Sequence, residues 1–514
     1  MFLLWTATAA TTAPSHVAVA CIGGGVSGLL AGRSLARAGV GVTVLEGSDR
    51  PGGRVRSDRV EGFTLDRGFA VFLTAYPESR AAFEYEGLDL QPFCPGAIVA
   101  MGPGASNRYF LADPLRQLSA TPETLAFPLA SPLDKLRLVL AVLRLKLSSL
   151  DDIFTREAVS TQTLLSERWG LSDTIINSFF RPFFGGVFLA PLTDQASTLF
   201  EFVLRMFVEG DAALPAAGMG AAPEQLATGL IAAGGELRLG ARAQALRLGD
   251  VSVGLPHAIT LADGRQLTCD RLVLSCTSRE ARRLLDGALP AMRDGPGTEP
   301  KMKPDTESGT APGTELAMEA AEMEAGIEAS PLPSERPMLT SICLYFSLEG
   351  APPISQPCLV LNGQAPTRLV NNMCFPSLTC AEYAPEGKHL ASVTVVPSLL
   401  DAGGSRGAQR GVDGGAGSAG PAWLDDDAAL EAAVRRELGE WFGREVEDWR
   451  LLRIYWIREA QEARPAGPWA REPRVAPARL GVYACGDYCA TPSLNGALKS
   501  GRLAAEAVLR DARQ

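Results

Sequence analysis

Three consecutive glycines, Gly23 to Gly25, directly follow a run of small β-forming residues, and Gly28 follows three positions later. The stretch reads VAVACIGGGVSG and continues into the helical run LLAGRSLARAG. A strand that turns into a helix through glycines at GxGxxG spacing lets a pyrophosphate approach the backbone at the positive end of the helix. The pattern predicts an α/β fold with a parallel sheet. It also predicts dinucleotide contacts at Gly23, Gly24, Gly25, Ser27 and Gly28.

An acidic residue closes the next predicted strand, VGVTVLE. This residue is Glu46, 23 positions after Gly23. In the dinucleotide-binding fold an acid at this place binds the hydroxyl groups of the adenosine ribose and repels a 2′-phosphate. The sequence therefore favours FAD or NAD over NADP.

The segment RPGGR, residues 50–54, follows this acid directly. Here the sequence resembles the flavin-containing amine oxidase superfamily, which includes phytoene and carotene desaturases, carotene isomerases and protoporphyrinogen oxidases. The resemblance implies that the cofactor is FAD and that the fold is a Rossmann-type FAD-binding domain interleaved with a mixed α+β substrate domain. It also implies that Gly52 and Gly53 allow a second close approach to the cofactor, and that Arg54 is a forked, permanently charged donor to the pyrophosphate.

Further segments extend the resemblance over most of the chain. LDRGFAVF at 65–72 is similar to a loop that passes the isoalloxazine, which implies a contact at Gly68. Residues 214–246 are similar to the family's crossover segment, which implies that Ala243 lies at the adenine end. VYACGDYCATPSLNGALKSG at 482–501 is similar to the C-terminal flavin motif. That match implies cofactor contacts at Gly486 and Asp487, and a helix beginning near Leu494 and Asn495 whose N-terminus points at the flavin.

The chain of 514 residues is too long for one ordinary core, so two domains are expected. The resemblance implies that they are interleaved. The predicted FAD-binding parts are 17–80, 225–286 and 478–514, and the predicted substrate-domain parts are 81–224, which is mostly helical, and 338–477. Residues 287–337 and the glycine-rich segment 402–421 are interpreted as disordered insertions, the first of them acidic, because neither composition buries enough apolar surface.

Charge and composition exclude several function classes. Ten acidic residues and two lysines between Asp294 and Glu335 account for most of the net charge of -10, and no basic stripe suits nucleic acid. No run of about 20 apolar residues predicts a membrane span. The ten cysteines contain no CxxC pair and only three histidines are present, so we expect free thiols and neither a metal site nor a His-centred triad.

The substrate class must be inferred from the helical region. SFFRPFFGGVFL at 178–189 places Phe179, Phe180, Phe183 and Phe184 around Arg181. The segment is interpreted either as a buried helix and turn or as the aromatic wall of a tunnel for a long apolar ligand. No catalytic acid or base is nominated, because a flavin carries the redox step itself.

Two further segments leave alternatives open. The run KLRLVLAVLRLKLSS at 135–149 has its charges on two opposite sides of a helical wheel, so it is interpreted as a substrate-domain helix or as a peripheral membrane contact. Residues 1–16 lack acidic groups and suit a targeting remnant, which together with the resemblance suggests a plastid and otherwise the cytoplasm. The oligomeric state is left open.

Three functions are compatible with these motifs. The first is a carotenoid desaturase-like or isomerase-like oxidoreductase acting on an apolar polyene or isoprenoid. The second is an amine oxidase or a protoporphyrinogen oxidase-like enzyme. The amine oxidase requires an aromatic cage, for which Trp456 and Trp469 are the candidates, and commonly a lysine beside the flavin. The third is a flavin-binding structural protein without turnover.

Overall fold

The computed structural model describes residues 15–113, 116–117, 121–249, 254–288, 332–333, 335–364, 368–400, 426–466 and 481–513. The strands are β1 (Ser15–Ile22), β2 (Val42–Leu45), β3 (Ser57–Val60), β4 (Phe63–Asp66), β5 (Phe72–Leu73), β6 (Leu90–Pro92), β7 (Gly96–Ala100), β8 (Arg108–Ala112), β9 (Ala212–Pro215), β10 (Glu236–Arg238), β11 (Ala243–Arg247), β12 (His257–Leu261), β13 (Gln266–Leu274), β14 (Met338–Leu348), β15 (Leu359–Asn362), β16 (Val370–Cys374), β17 (His389–Val395), β18 (Arg450–Glu462) and β19 (Val482–Ala484).

The helices are α1 (Val26–Arg37), α2 (Pro77–Ala82), α3 (Tyr85–Leu88), α4 (Thr121–Ala126), α5 (Pro132–Leu147), α6 (Leu150–Thr155), α7 (Thr161–Thr163), α8 (Asp173–Ile175), α9 (Arg181–Phe188), α10 (Ser197–Glu209), α11 (Ala221–Ala232), α12 (Ser278–Ala288), α13 (Pro376–Thr379), α14 (Pro397–Leu400), α15 (Asp427–Phe442) and α16 (Leu494–Asp511). Two π-helical turns, Leu164–Arg168 and Ile176–Phe180, interrupt the helical region.

The first sheet has the order β10-β2-β1-β13-β12-β11, and β19 lies beside the end of β13. Strands β10, β2, β1, β13 and β19 run parallel, whereas β12 and β11 are antiparallel additions. Three segments that are distant in the sequence therefore build one sheet. This arrangement confirms the predicted α/β fold class with a parallel sheet.

Alternating residues of β1 bury opposite faces of this sheet. Val19 and Cys21 pack against α1, α11 and α16, whereas Ala20 and Ile22 pack on the side of α12. A strand that is covered on both faces must be apolar at successive positions, which explains the unbroken run VAVACI. The sheet is thus enclosed between two helical layers, and the helix after the glycines is fixed against it.

The second sheet, with the order β18-β14-β17-β16-β15-β7-β8, belongs to the other half of the molecule. Helix α15 covers one face through Leu430, Val434, Leu438 and Trp441. Helices α5, α6, α9 and α10 form a separate layer around a core of leucine and phenylalanine side chains. Two small sheets, β3-β4 and β5-β9-β6, complete the fold, and Leu65 of β4 and Leu214 of β9 pack with Tyr345 of the second sheet.

Several predicted boundaries differ from the observed ones. Strand β1 begins at Ser15 rather than after residue 16, because Ser15 and His16 pair with Leu267 and Thr268. The part of the chain predicted as the second FAD-binding segment, 225–286, includes β12 and β13, which pair with each other in antiparallel fashion. Residues 1–14, most of the predicted insertion 287–337 and all of segment 402–421 lie outside the described residues.

Candidate functional site

The junction of β1 and α1 requires glycine at two positions. Gly23 has φ of +114°, and a Cβ there would lie 2.7 Å from the carbonyl carbon of Ser275. A Cβ on Gly28 would lie 2.2 Å from the carbonyl oxygen of Gly23. The Ser275 hydroxyl donates to the carbonyls of Ile22 and Gly23 at 2.9 and 2.8 Å. The end of β13 therefore fixes the turn, a role for Ser275 that the sequence did not indicate.

Gly25 differs from its neighbours, because a Cβ there would meet nothing within 4 Å. It precedes α1 directly, and no side chain caps this helix end. The N–H groups of the first turn, where Ser27 is buried, therefore face a space that a side chain would fill. The positive end of the helix and this open space fit an anionic pyrophosphate.

The carboxylate of Glu46 lies beside this turn. It accepts hydrogen bonds from the backbone N–H of Gly24 at 2.7 Å and of Ser48 at 2.8 Å. These two bonds fix the carboxylate and leave acceptor capacity for ribose hydroxyls. The backbone N–H of Ala241 donates to the carbonyl of Glu46 at 2.8 Å, which brings the segment leading to Ala243 next to the predicted ribose site.

The RPGGR loop is folded back onto the glycine turn. The N–H of Gly52 donates to the carbonyl of Gly24 at 2.8 Å, and Gly25 forms a bridge with Gly52. Gly52 and Gly53 have φ of +120° and +59°, a region that side chains disfavour. The two glycine segments thus form one cradle, as the motif spacing suggested.

Arg54 connects this cradle to the C-terminal motif. Its guanidinium lies 2.5 Å from a carboxylate oxygen of Asp487 and donates to the carbonyl of Ala460 at 2.9 Å. The carboxylate of Asp487 raises the pKa of Arg54. Asp487 is buried, and the N–H of the preceding Gly486 donates to the hydroxyl of Ser500 at 2.9 Å. Two motifs from opposite ends of the chain therefore meet at one site.

The start of α16 also lies in this region. Ser493 caps the helix by accepting from the N–H of Gly496 at 3.1 Å. Asn495 was predicted as a cofactor contact, but its side chain is buried and its amide oxygen accepts from the N–H of Glu78 in α2. The side chain of Asn495 therefore joins two helices. Leu494 packs against both the core of the first sheet and the helical layer.

The loop beside Gly68 is supported by a buried carboxylate that the sequence did not single out. Asp66 accepts from the Ser57 hydroxyl at 2.5 Å, from the N–H of Met219 at 2.9 Å and from the Tyr383 phenol at 2.8 Å. Burial raises the pKa of Asp66. Gly68 has φ of +90°, and a Cβ there would lie 3.1 Å from Ile457 in β18. The aspartate in LDRG was the only sequence signal of this network.

A second unpredicted cluster lies where β18 ends. The guanidinium of Arg464 donates to the carbonyls of Asp487, Tyr488 and Ala490 at 3.5, 3.0 and 2.5 Å. Glu462 is buried, accepts from the Ser278 hydroxyl at 2.8 Å, and has a pKa raised by that burial. This cluster fixes the C-terminal flavin motif from the side of the second sheet. Its partners lie far apart in the sequence, so no local pattern reveals it.

The four phenylalanines among the predicted substrate contacts divide into two groups. Phe180 and Phe184 are 2% and 1% exposed, and both rings contact Phe200 inside the helical layer. Phe179 and Phe183 are half-buried and stack on each other with ring centroids 5.5 Å apart. The structure therefore places the first two in the core and leaves only the second two accessible to a ligand.

Arg181 lies between these aromatic residues in the sequence. Its guanidinium is half-buried, and burial lowers its pKa. Among the described residues it has no hydrogen bond or ion pair. This cation borders the predicted substrate region without a structural task that its contacts reveal.

Other reactive groups do not form a separate site in the described part of the chain. No group of three or more His, Cys, Asp or Glu residues there could hold a metal ion. All ten cysteines are free thiols, and eight of them are buried. No helix within the described ranges is long and apolar enough to cross a bilayer.

Taken with its donor set, the cradle fits FAD. The open space at Gly25 would hold the pyrophosphate, Glu46 the ribose, and the region of Gly486 and Asp487 the ribityl side. Leu494 and the loop after Gly68 would then lie toward the ring system.

Comparison with known proteins agrees with this geometry. The sequence model of the family described as flavin containing amine oxidoreductase matches residues 26–301 and 310–509. A coproporphyrinogen III oxidase of Propionibacterium freudenreichii subsp. freudenreichii is 35% identical over 82 residues, which are 16% of each chain. The aligned segments span between 9% and 16% of the length of the curated relatives compared.

Two solved structures share the whole fold. A putative protoporphyrinogen oxidase from Exiguobacterium sp. 255-15 superposes with a TM-score of 0.59 at 14% identity and covers 97% of this chain and 99% of its own. Wild-type putrescine oxidase bound to putrescine has a TM-score of 0.62 at 13% identity, with 97% and 100% covered. At such low identity the likeness establishes the fold and leaves the substrate open.

Proposed function

This chain belongs to the family of flavin-containing amine oxidoreductases and is an FAD-dependent oxidoreductase, and from that premise we propose that its substrate is a large apolar molecule of the polyene or isoprenoid class. Bound FAD supplies an acceptor for a hydride equivalent. The protein must then hold an apolar substrate against the ring system and exclude water.

One observation carries the proposal. The two segments expected beside the isoalloxazine, the loop after Gly68 and the start of α16, contribute Val71 and Leu494. Both residues pack against the same apolar cluster, which also contains the half-buried rings of Phe179 and Phe183. An apolar, aromatic surface therefore extends from these two segments, and a polyene would find dispersion contacts along it.

Apart from Arg181, the charged groups named in this region have structural tasks. Asp66 is bound to Ser57, Met219 and Tyr383, and Arg54 is bound to Asp487. The histidines lie elsewhere: His257 is buried in β12, and His389 on β17 contacts Ser377 at 3.3 Å. We infer that the protein contributes binding and orientation rather than a histidine general base.

An amine substrate suits this chain less well. The sequence contains six lysines, of which Lys388 pairs with Glu349 at the surface. The Trp456 indole, one candidate for an aromatic cage, donates to Asp427 at 2.8 Å and packs with the core of the second sheet. The other candidate, Trp469, lies outside the described residues.

A porphyrinogen is the second candidate, and Arg181 favours it. This half-buried cation lies beside the accessible phenylalanines and forms no hydrogen bond or ion pair with the described residues, although the charge of Asp173 acts on it. It would pair with an acidic substituent of a largely apolar substrate. Relatives named as coproporphyrinogen III oxidase and putative protoporphyrinogen oxidase are similar to this chain.

The test is an anaerobic titration of the purified holoenzyme. The oxidised flavin band is recorded while carotenes in liposomes, porphyrinogens and a panel of amines are added separately. We expect bleaching by a polyene, or recovery of an isomerised polyene once the flavin is reduced. Bleaching by porphyrinogens alone would favour the second candidate, and bleaching by amines alone would contradict both.

A further inference from the structure

Most of the large hydrophobic side chains that are exposed lie in one short segment of the chain. Of the ten large hydrophobic side chains that are exposed among the described residues, seven lie between positions 125 and 147. They are Leu125, Leu133, Leu136, Val139, Leu140, Leu143 and Leu147, and six of these belong to α5. Soluble proteins rarely leave such a contiguous surface uncovered without a function.

Helix α5 has two apolar faces rather than one. Ala141 and Leu145 are buried and Leu138 is partly buried, and these residues form the face that turns toward the helical layer. At about 100° per residue, Leu136, Leu140 and the other exposed residues lie on the opposite side. Leu140 is 57% exposed and Leu147 is 88% exposed. The outward face therefore adds nothing to the core, so its apolar character calls for another partner.

The basic residues of α5 border this outward face. On the same helical wheel Arg137 and Arg144 lie along one edge, and Lys135 and Lys146 lie along the other. Lys135 donates to the carbonyls of Leu125 and Phe127, and Arg137 donates to the carbonyl of Gly170. In the sequence these two pairs of basic residues interrupt the amphipathic pattern. In the structure they flank the exposed residues of α5, which form an apolar stripe between them.

We propose that the outward face of α5 binds the surface of a bilayer that contains anionic lipids. The leucines would enter the boundary of the acyl chains, and the exposed Arg144 and Lys146, one on each edge, would extend to the phosphates. The helix has 16 residues and lies parallel to the membrane in this arrangement. Phosphate groups are the partners that two rows of cations require.

Charge argues against a second copy of the chain as the occupant. Helix α5 has four basic residues, and its one acid, Asp134, is buried and bonded to Ser131 and Ser172. Two copies of this face would therefore bring rows of like charge together. The exposed acids Asp151 and Asp152 begin α6 and come after the end of the stripe.

Flotation of the holoenzyme with lipid vesicles tests the proposal. Vesicles of phosphatidylcholine alone are compared with vesicles that also contain phosphatidylglycerol. We expect the wild type to float with the anionic vesicles. Leu136→Ser combined with Leu140→Ser should weaken binding by roughly tenfold or more, because both side chains are already exposed and only the membrane contact is lost. Replacing Ile231, which is 58% exposed on α11, by serine is the matched control and should change nothing.

A charge variant separates the two parts of the interaction. Each cation contributes about fivefold to the affinity for an anionic surface. Arg144→Gln combined with Lys146→Gln should therefore weaken binding to anionic vesicles by roughly tenfold or more. Binding to vesicles of phosphatidylcholine alone should not change. Wild-type protein that does not float with anionic vesicles would overturn the proposal, as would unchanged binding by the double serine variant. A wild-type dimer that the serine substitutions convert to a monomer would overturn it in favour of contact between copies.

Discussion

The cofactor cradle and the helical layer are built on different kinds of constraint. In the cradle, Gly23 and Gly28 stand where a Cβ would lie within 3 Å of backbone atoms, so the residue type is fixed at each point. In the helical layer, Phe180 and Phe184 only have to fill space beside Phe200, and other apolar residues could do so. The function of the cradle can therefore be predicted from its residue types, whereas the function of the helical layer depends on how its side chains pack.

The largest expected effect comes from Gly28→Val, which places side-chain atoms on the carbonyl of Gly23. The backbone of the turn or of α1 must move, so we expect the free energy of unfolding to fall by more than about 3 kcal/mol. Urea unfolding, or the soluble yield where no folded protein is recovered, measures this. The matched control is Gly41→Ala, where a Cβ would meet nothing within 4 Å. A folded Gly28→Val protein with wild-type stability would break the distinction between the two regions.

Gly25→Val should separate cofactor binding from folding. A Cβ there meets only open space, so the unfolding free energy of the apoprotein should change little, whereas FAD affinity should fall by at least about a hundredfold as the pyrophosphate space is filled. The ratio of flavin to protein after purification and a titration with FAD give the two quantities. Gly41→Val is the control, because a Cβ there also meets only open space. Full flavin content in Gly25→Val would contradict the assignment of the cradle.

Asp66→Asn tests the carboxylate that joins both regions. Loss of its hydrogen bonds to Ser57, Met219 and Tyr383 should cost about 2 kcal/mol. Because burial raises the pKa of Asp66, the ionised form is the less stable one in the folded chain. The advantage of the wild type over the asparagine variant should therefore be complete below the unfolded-state pKa of about 3.9 and decline as the pH rises through the folded-state pKa.

Urea unfolding of both proteins across this pH range measures the difference. Asp448→Asn, at an exposed surface position, is the control and should show neither effect. A difference between wild type and Asp66→Asn that grows with pH would contradict the proposed environment of the carboxylate.

The smallest expected effect concerns the helical layer. Phe183→Ala should raise KM for the apolar substrate by roughly five- to tenfold, since a half-buried ring is removed, and should leave FAD content unchanged. Steady-state kinetics and the flavin spectrum provide both values. Phe110→Ala, at a half-buried ring in the second sheet, is the matched control. Equal effects of both substitutions would show that Phe183 acts only through stability.

The sequence predicted what depends on local backbone geometry and missed what depends on distant partners. The strand, the glycine turn, α1 and the placement of Glu46 could be inferred, because each follows from residue types a few positions apart. The link between Arg464 and the loop at 487–490, or between Asp66 and Tyr383, joins segments that no local pattern relates. The outward face of α5 was obscured because a helical wheel does not show which side the rest of the chain covers.

The ion pair between Arg54 and Asp487 joins residues 433 positions apart, and the neighbouring strands β1, β13 and β19 are separated along the chain in the same way. A ribosome adds about 5 to 20 residues per second, so Arg54 waits roughly 20 to 90 seconds for its partner. The nascent chain consequently has no complete cofactor site until residues 482–487 have been synthesised. Capture of FAD is therefore expected to follow the synthesis of this segment, and the sheet that begins with β1 stays incomplete until then.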